Sequence, residues 1–430
     1  MSARLPSQVP VLVIGAGVHG LSSAWHLAAA GQRVLVLDKT AVAAGASGIA
    51  CGVIRNNYFQ PAMSELMAAC VEVWESDAAA LHYHPNGYVA LGPPVQESDL
   101  IEVFERQQRI GYPSELHVGE AEVASHMRSL YPDWRARGLT VCLHEHVGGY
   151  AFNRESMHGL ADKARSAGAE IAEGVEVTGF EFDGAGAVTS VATSAGKIAV
   201  DQVVVAVGPW IASLWSMLGL PDRIDVRQPD GSVVDDLPMW KYWYLQEGEI
   251  DVDPALFVTA DGRSSPVLHV DSLAPLYADD GTLVTDEFWG VYFKPDRESV
   301  QGGAQPLPMG SSFEVDPYPT GTVEPGFPDM WSAALSHCLT RFEGARARYR
   351  QTRSGGAGAF TADNFPIFDY MRPNVFVAAD SNHGYKMIAV GREIARVLGG
   401  EHSTLLRPFR FERFATGELH PVSHSPYPWS

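Results

Sequence analysis

The apolar positions of this chain change rhythm several times, and each change marks an element. Residues 11–14 (VLVI) and 34–37 (VLVL) are unbroken apolar runs, as expected of strands covered on both faces. Between them GAGVHG predicts a glycine-rich turn and LSSAWHLAAAG a helix of small residues that can pack closely. Further on, FNRESMHGLADKARSAG reads as an amphipathic helix stopped at Gly168, followed by a meander with turns at DGAG and SAG. DQVVVAVGPW is mostly apolar and finishes on Gly208, as a central parallel strand reaching a ligand would. Near the C-terminus NVFVAA predicts a last buried strand, SNHGYK a polar turn, and the following residues a helix ended by Gly399 and Gly400.

A second pattern interrupts the first. Residues 86–144 carry a helix with charged faces (QESDLIEVFERQQRIG) and an alternating strand (LTVCLHEH), and residues 216–345 are Pro- and Asp-punctuated strands rich in aromatics. The expected fold is therefore α/β. A discontinuous Rossmann-like domain with a parallel sheet and a β-meander crossover takes residues 1–85, 145–215 and 346–430; a second, antiparallel-sheet domain for substrate takes 86–144 and 216–345.

Within the first unit each residue type has a physical task. Gly15 allows the tight turn out of the strand, and Gly17, lacking a Cβ, lets a pyrophosphate approach the helix N-terminus. Gly20 allows close helix–strand packing, and Asp38, ending the second strand, is placed to accept hydrogen bonds from the ribose hydroxyls of an adenosine. Strand, turn, helix and acid in this order predict a bound dinucleotide without saying which one.

Composition narrows the class. With 46% hydrophobic and 19% charged residues, the chain suits two sizeable domains. A net charge of −20 disfavours nucleic acid and anionic membrane as partners. No apolar run is long enough to span a membrane and no secretory leader is recognisable, so a cytoplasmic protein is expected. Cys51, Cys70, Cys142 and Cys338 have no CxxC spacing and read as buried small hydrophobes. The acidic runs DDLP and EGEIDVDP read as solvated loops. His82/His84 and His144/His146 have same-face strand spacing, but with no third ligand in view no metal is assigned. Trp240, Tyr242 and Tyr244 share one face of an extended strand, and with Trp289, Tyr292 and Phe293 read more simply as core than as a cage for an alkylamine.

The motifs GAGVHG with Asp38, GASGIACG, AVGPW, TADNFPIFD and HGYK, in this order, resemble the amine-oxidising flavoenzymes grouped with D-amino acid oxidase, especially the sarcosine oxidase and dimethylglycine dehydrogenase branch. The resemblance implies FAD, held by Gly15, Gly17, Val18, His19, Gly20, Asp38, Lys39, Ala46, Ser47, Gly52, Val175, Gly208, Trp210, Asn382, Gly384, Tyr385 and Lys386. It also implies that Arg55 and Lys386 hold a substrate carboxylate, with His383 beside them as a site residue. Arginine suits that task through its planar fork and lysine through its compact charge. The alternative for Arg55 is a structural ion pair with Glu65. A helix beginning near Lys386 would also turn unpaired N–H groups toward the flavin.

The implied reaction is oxidation of a substrate C–N bond by hydride transfer to flavin N5, giving an imine that water hydrolyses. The chain departs from the branch in four places. It has no cysteine in SGGAGAF and has Ile49 where the dimethylglycine branch has a histidine, so non-covalent FAD is expected. Asn382 stands where a glycine is usual, and Gln301 falls where oxidases carry an oxygen-activating lysine, which favours a dehydrogenase. Oxygen and an electron-transfer partner both remain candidate acceptors. A pyridine-nucleotide enzyme, a flavin hydroxylase and an electron-transfer subunit stay open as rivals.

Overall fold

The computed structural model describes residues 5–318, 323–350, 355–379 and 383–427. The strand Gln8–Ile14 lies at the centre of an eight-stranded sheet, parallel to Val34–Asp38 on one side and to Gly196–Val205 on the other. Glu170–Glu173 extends the parallel run beyond Val34–Asp38, and Val375–Ala379 pairs in parallel with the end of Gly196–Val205. The antiparallel meander Val177–Phe182, Val188–Thr193 and Gly196–Val205 completes one edge.

The apolar runs do what a doubly covered strand requires. Val11 and Val13 pack with Leu21, Leu27 and Ile394 in a core that takes in the helices Val18–Ala29, Asn153–Ser166 and Val390–Leu398. Leu12 and Ile14 point the other way, into a second core with Val203, Val205, Ile211 and Trp215. The Ser22 hydroxyl donates to the Ile388 carbonyl at 2.5 Å, tying the first helix to the approach of the last across 366 residues of chain.

A second eight-stranded sheet runs in the order Tyr349–Arg350, Glu247–Asp251, Ser299–Gly303, Trp289–Asp296, Val267–Ser272, Tyr88–Gly92, Val141–Glu145, Ser114–Val118. It is antiparallel except where Tyr88–Gly92 meets Val267–Ser272. One face packs under the helix Phe327–Cys338, with Trp289, Phe293 and Trp331 fully buried. A short third sheet pairs Lys241–Leu245 with Leu307–Gly310 on one side and Gly356–Phe360 on the other. The fold class expected from the sequence, a parallel-rich sheet beside a separate antiparallel one, is the one observed.

Two expectations are settled by burial. All four cysteines are buried thiols. EGEIDVDP is not a solvated loop: Glu247–Asp251 is an interior strand of the second sheet, with Glu247, Gly248 and Ile250 buried. Alternation of one acid with one small or apolar residue is hard to tell from a loop when the acid itself has a buried partner. DDLP, by contrast, falls in the largely exposed hairpin strand Val233–Pro238. Trp240 and Tyr242 join the core behind the first sheet, and Trp289 and Phe293 the core of the second. Among the described residues no helix is long and apolar enough to cross a membrane.

Candidate active site

The carboxyl ends of the parallel strands open into a cleft of about 550 Å³. Gly15 sits at its base with φ +105°, and a Cβ there would lie 2.3 Å from the Ala206 carbonyl oxygen. At Gly20 a Cβ would lie 1.9 Å from the Gly15 carbonyl oxygen, so the turn closes only on bare backbone. Gly17 caps the helix Val18–Ala29, and the Val18 N–H donates to the Ser47 hydroxyl at 3.2 Å. Asp38 accepts from the Ala16 N–H through Oδ2 and from the Thr40 N–H through Oδ1, at 2.9 and 2.8 Å. These bonds leave lone pairs on both oxygens for a ligand.

Val18, His19, Lys39, Ala46, Val175, Gly208, Trp210, Gly384 and Tyr385 also line this cleft, together with Ser47 and Asp38. Lys39 Nζ donates to both carboxylate oxygens of Asp316 at 2.7 Å and stands 4.5 Å from the centre of the Trp210 ring, whose Nε1 donates to the same carboxylate. Asp316 thus closes the rim, a role invisible in an isolated acid of a Pro-rich segment.

A smaller cleft of about 100 Å³ shares Ala50, Leu245, Glu247 and Tyr385 with the large one. Its remaining wall includes Gly52, Arg55, Tyr88, His269, Tyr292 and Lys386. Arg55 is 8% exposed, with its guanidinium carbon 4.3 Å from the Tyr58 ring centre and 5.5 Å from that of Tyr88. Burial works against its charge, yet Tyr88, Tyr58, Glu145 and Asp271 hold its pKa above the ordinary guanidinium value. Glu65 is exposed, and no ion pair joins it to Arg55 among the described residues. Tyr88 and His269 are held in turn: the Tyr88 hydroxyl is 2.7 Å from His269 Nδ1, and His269 Nε2 is 3.1 Å from Asp271.

Glu247, where the clefts meet, is 3% exposed and accepts from the Cys51 N–H, the Tyr292 hydroxyl and the Gln301 amide at 3.0, 3.2 and 2.9 Å. A family model, "FAD dependent oxidoreductase" (DAO), matches residues 10–397 of this chain, the span that builds both clefts. The chain belongs to the DAO family. Peroxisomal sarcosine oxidase of Homo sapiens is 25% identical over 215 residues, covering 49% of this chain and 53% of that protein. Glycine oxidase of Geobacillus kaustophilus (strain HTA426) is 27% identical over 229 residues, covering 49% of this chain and 57% of the relative. The chain therefore spans just over half the length of these curated relatives. The solved structure of L-proline dehydrogenase from P. horikoshii matches with a TM-score of 0.76 at 20% identity over 96% of this chain and 100% of that one, a likeness of fold.

The DAO family's cofactor is FAD, and the cleft suits it: a turn bared of side chains at one end, an acid with spare lone pairs beside it, and a polar branch at the other. Other residues singled out in the sequence lie differently in this DAO-family fold. Gly20 contributes packing and does not line either cleft, and Gly52 lies in the smaller one. Asn382 lies outside the described residues.

His383 is fully buried behind the cleft wall, its Nδ1 3.0 Å from the Tyr58 hydroxyl and its ring stacked on Phe365. Burial, with Lys386 and Arg55 nearby, pushes its pKa well below the ordinary imidazole value. Nor does a helix begin at Lys386. Gly384–Lys386 is a single tight turn, the N–H groups of Lys386 and Met387 are taken by His383 and Gly384, and the helix starts at the buried Val390. Residues 383–386 and the apolar residues after them take two successive turns where the sequence pattern suggested one. Gln301 faces Glu247, and its partner across the strand pair is a buried lysine, Lys294, whose Nζ stands 4.7 Å from the centre of the Tyr150 ring.

Proposed function

We propose that this chain oxidises the C–N bond of a small amino acid or N-alkyl amino acid with non-covalently bound FAD, passing the electrons to an acceptor other than oxygen. The observation that carries the reading is the pair of cationic residues, Arg55 and Lys386, on the wall of a cleft that shares Ala50, Leu245, Glu247 and Tyr385 with the large cleft. This cleft measures about 100 Å³ beside about 550 Å³ for the large one, which supports a small ligand.

In this reading the turn from Gly15 to His19 takes the pyrophosphate and Asp38 the ribose, with Lys39 and Val175 at the adenosine end. Ala46, Ser47, Gly208, Trp210, Gly384 and Tyr385 flank the rest. When bound, FAD supplies the hydride acceptor. Arg55 and Lys386 fix the substrate carboxylate, and Glu247 at the junction complements the charge of a substrate nitrogen. The walls exclude bulk water while the bond is oxidised, and the resulting imine is hydrolysed to a carbonyl compound and an amine. No side chain has to take a proton from carbon, so the pH dependence follows loss of the substrate's own ammonium proton. His383 acts through Tyr58, whose ring lies under Arg55, as a positioning residue.

Of the four cysteines only Cys51 lines a cleft, the smaller one, which supports non-covalent FAD. Gln301 is a neutral amide turned onto the Glu247 carboxylate where the resemblance expects a lysine, which supports an acceptor other than oxygen. The test is turnover of N-methyl, cyclic and D-amino acids with a dye acceptor, with trapping of the carbonyl product as a hydrazone. Acid precipitation should leave FAD in the supernatant. Absence of a trapped carbonyl from every carboxylated amine would overturn the reading.

A further inference from the structure

The second sheet carries, at the edge away from both clefts, a cluster that the DAO-family reading does not use. Antiparallel pairing of Ser114–Val118 with Val141–Glu145 sets Glu115 directly opposite His144, with His117 two residues along the same strand. The helix Glu120–Leu130 brings His126 over them. His126 Nε2 and His144 Nδ1 are 3.2 Å apart, and Glu115 Oε1 lies 3.2 Å from His144 Nδ1, 3.8 Å from His126 Nε2 and 3.7 Å from His117 Nε2. Four atoms bound tetrahedrally to zinc at its usual bond lengths are about 3.3 Å apart.

From this geometry we propose that Glu115, His126 and His144, whose ligand atoms lie 3.2–3.8 Å apart, form a binding site for one divalent metal ion of the zinc class, with His117 beside Glu115 and His126 as the fourth ligand once its ring turns. Three imidazoles and a carboxylate are a ligand set that zinc favours, and tetrahedral spacing selects against the hard, oxygen-seeking cations. His117 Nε2 is buried and has no hydrogen-bond partner among the described residues, as a nitrogen awaiting an ion would be. The opposite ring nitrogen, Nδ1, lies 3.2 Å from Glu122, the carboxylate support that metal-bound histidines commonly have. The rings of His117 and His126 are stacked with centres 3.9 Å apart, so the His117 ring must turn to bring its Nε2 onto an ion held by His126. Binding also needs a tautomer shift in the His126–His144 pair, so that both nitrogens now sharing a proton present lone pairs. His146 continues the same side at the exposed end and forms a second triad with Glu115 and His144. An ion here would pin the helix to the sheet edge.

The test uses untagged, FAD-loaded protein stripped with a chelator and then titrated with Zn²⁺ or Co²⁺. The proposal expects one ion retained per chain after gel filtration, a visible Co²⁺ spectrum of tetrahedral form, and a rise in Tm with Zn²⁺. His126→Gln and His144→Gln should each weaken binding at least about tenfold, with flavin content and turnover unchanged. Wild-type protein that retains no ion, or variants that retain it as well as wild type does, would overturn the proposal. Should a variant fail to fold, the Co²⁺ spectrum of the wild-type protein decides alone.

Discussion

Replacing Arg55 by methionine removes one charge and little volume, and its consequence can be worked from the site. Arg55 is 8% exposed, so its interaction with a bound carboxylate is screened little by solvent. Removing one member of a buried, hydrogen-bonded charge pair costs about 2–5 kcal/mol. At 1.4 kcal/mol per decade, and with Lys386 still in place to hold the lower part of that range, substrate binding should weaken roughly 30- to 300-fold. The methionine stem continues to pack between Tyr58 and Tyr88, so FAD content should stay at the wild-type level. Anaerobic stopped-flow mixing separates substrate Kd from the limiting rate of flavin reduction, and the loss should fall mainly in Kd. A change in Kd of less than about threefold would refute the clamp, since no buried charge pair of this kind is so weak.

The other expectations concern the clamp's second cation, the turn and the acid limb. Lys386→Met should raise Kd for the same substrate only about threefold to tenfold, because Lys386 is less buried than Arg55; steady-state and half-reaction kinetics should agree on this order. Gly15→Ala forces a side chain to φ +105° and against the Ala206 carbonyl, so purified protein should be largely colourless, with Tm lower by roughly 2–8 °C. Burial pushes His420 down to about 4 from 6.5, against a smaller opposing pull from Asp363. The unfolded chain therefore binds the extra proton first, and stability is lost as pH falls from about 6.5 toward 4. Tm measured from pH 7 to 4.5 should fall less steeply in His420→Gln than in wild type; parallel curves would remove His420 from the account.

What the sequence showed and hid follows physical lines. The strand–turn–helix–strand–acid unit was legible because each of its positions admits few residue types, and Gly15, Gly20 and Asp38 stand where those constraints put them. Arg55 and Lys386 are 331 positions apart in the chain yet share one cleft, and only likeness to a family brought them together beforehand. Glu247 was hidden because its acid lies in EGEIDVDP, whose alternation imitates a solvated loop until Tyr292, Gln301 and the Cys51 N–H are seen to surround it. His383 looked like a wall residue from its neighbours, but the tight turn at Gly384–Lys386 rolls it inward. The histidines at 144 and 146 showed a strand spacing, while Glu115, His117 and His126 come from a neighbouring strand and helix that periodicity alone does not pair.

The most direct test of the central claim is anaerobic mixing of the yellow protein with a small amino acid and, separately, with the same amine lacking its carboxylate. The account predicts bleaching of the oxidised flavin band by the amino acid and little or none by the decarboxylated amine. Equal bleaching by both, or a band unmoved by any amino acid but bleached by a reduced pyridine nucleotide, would contradict it.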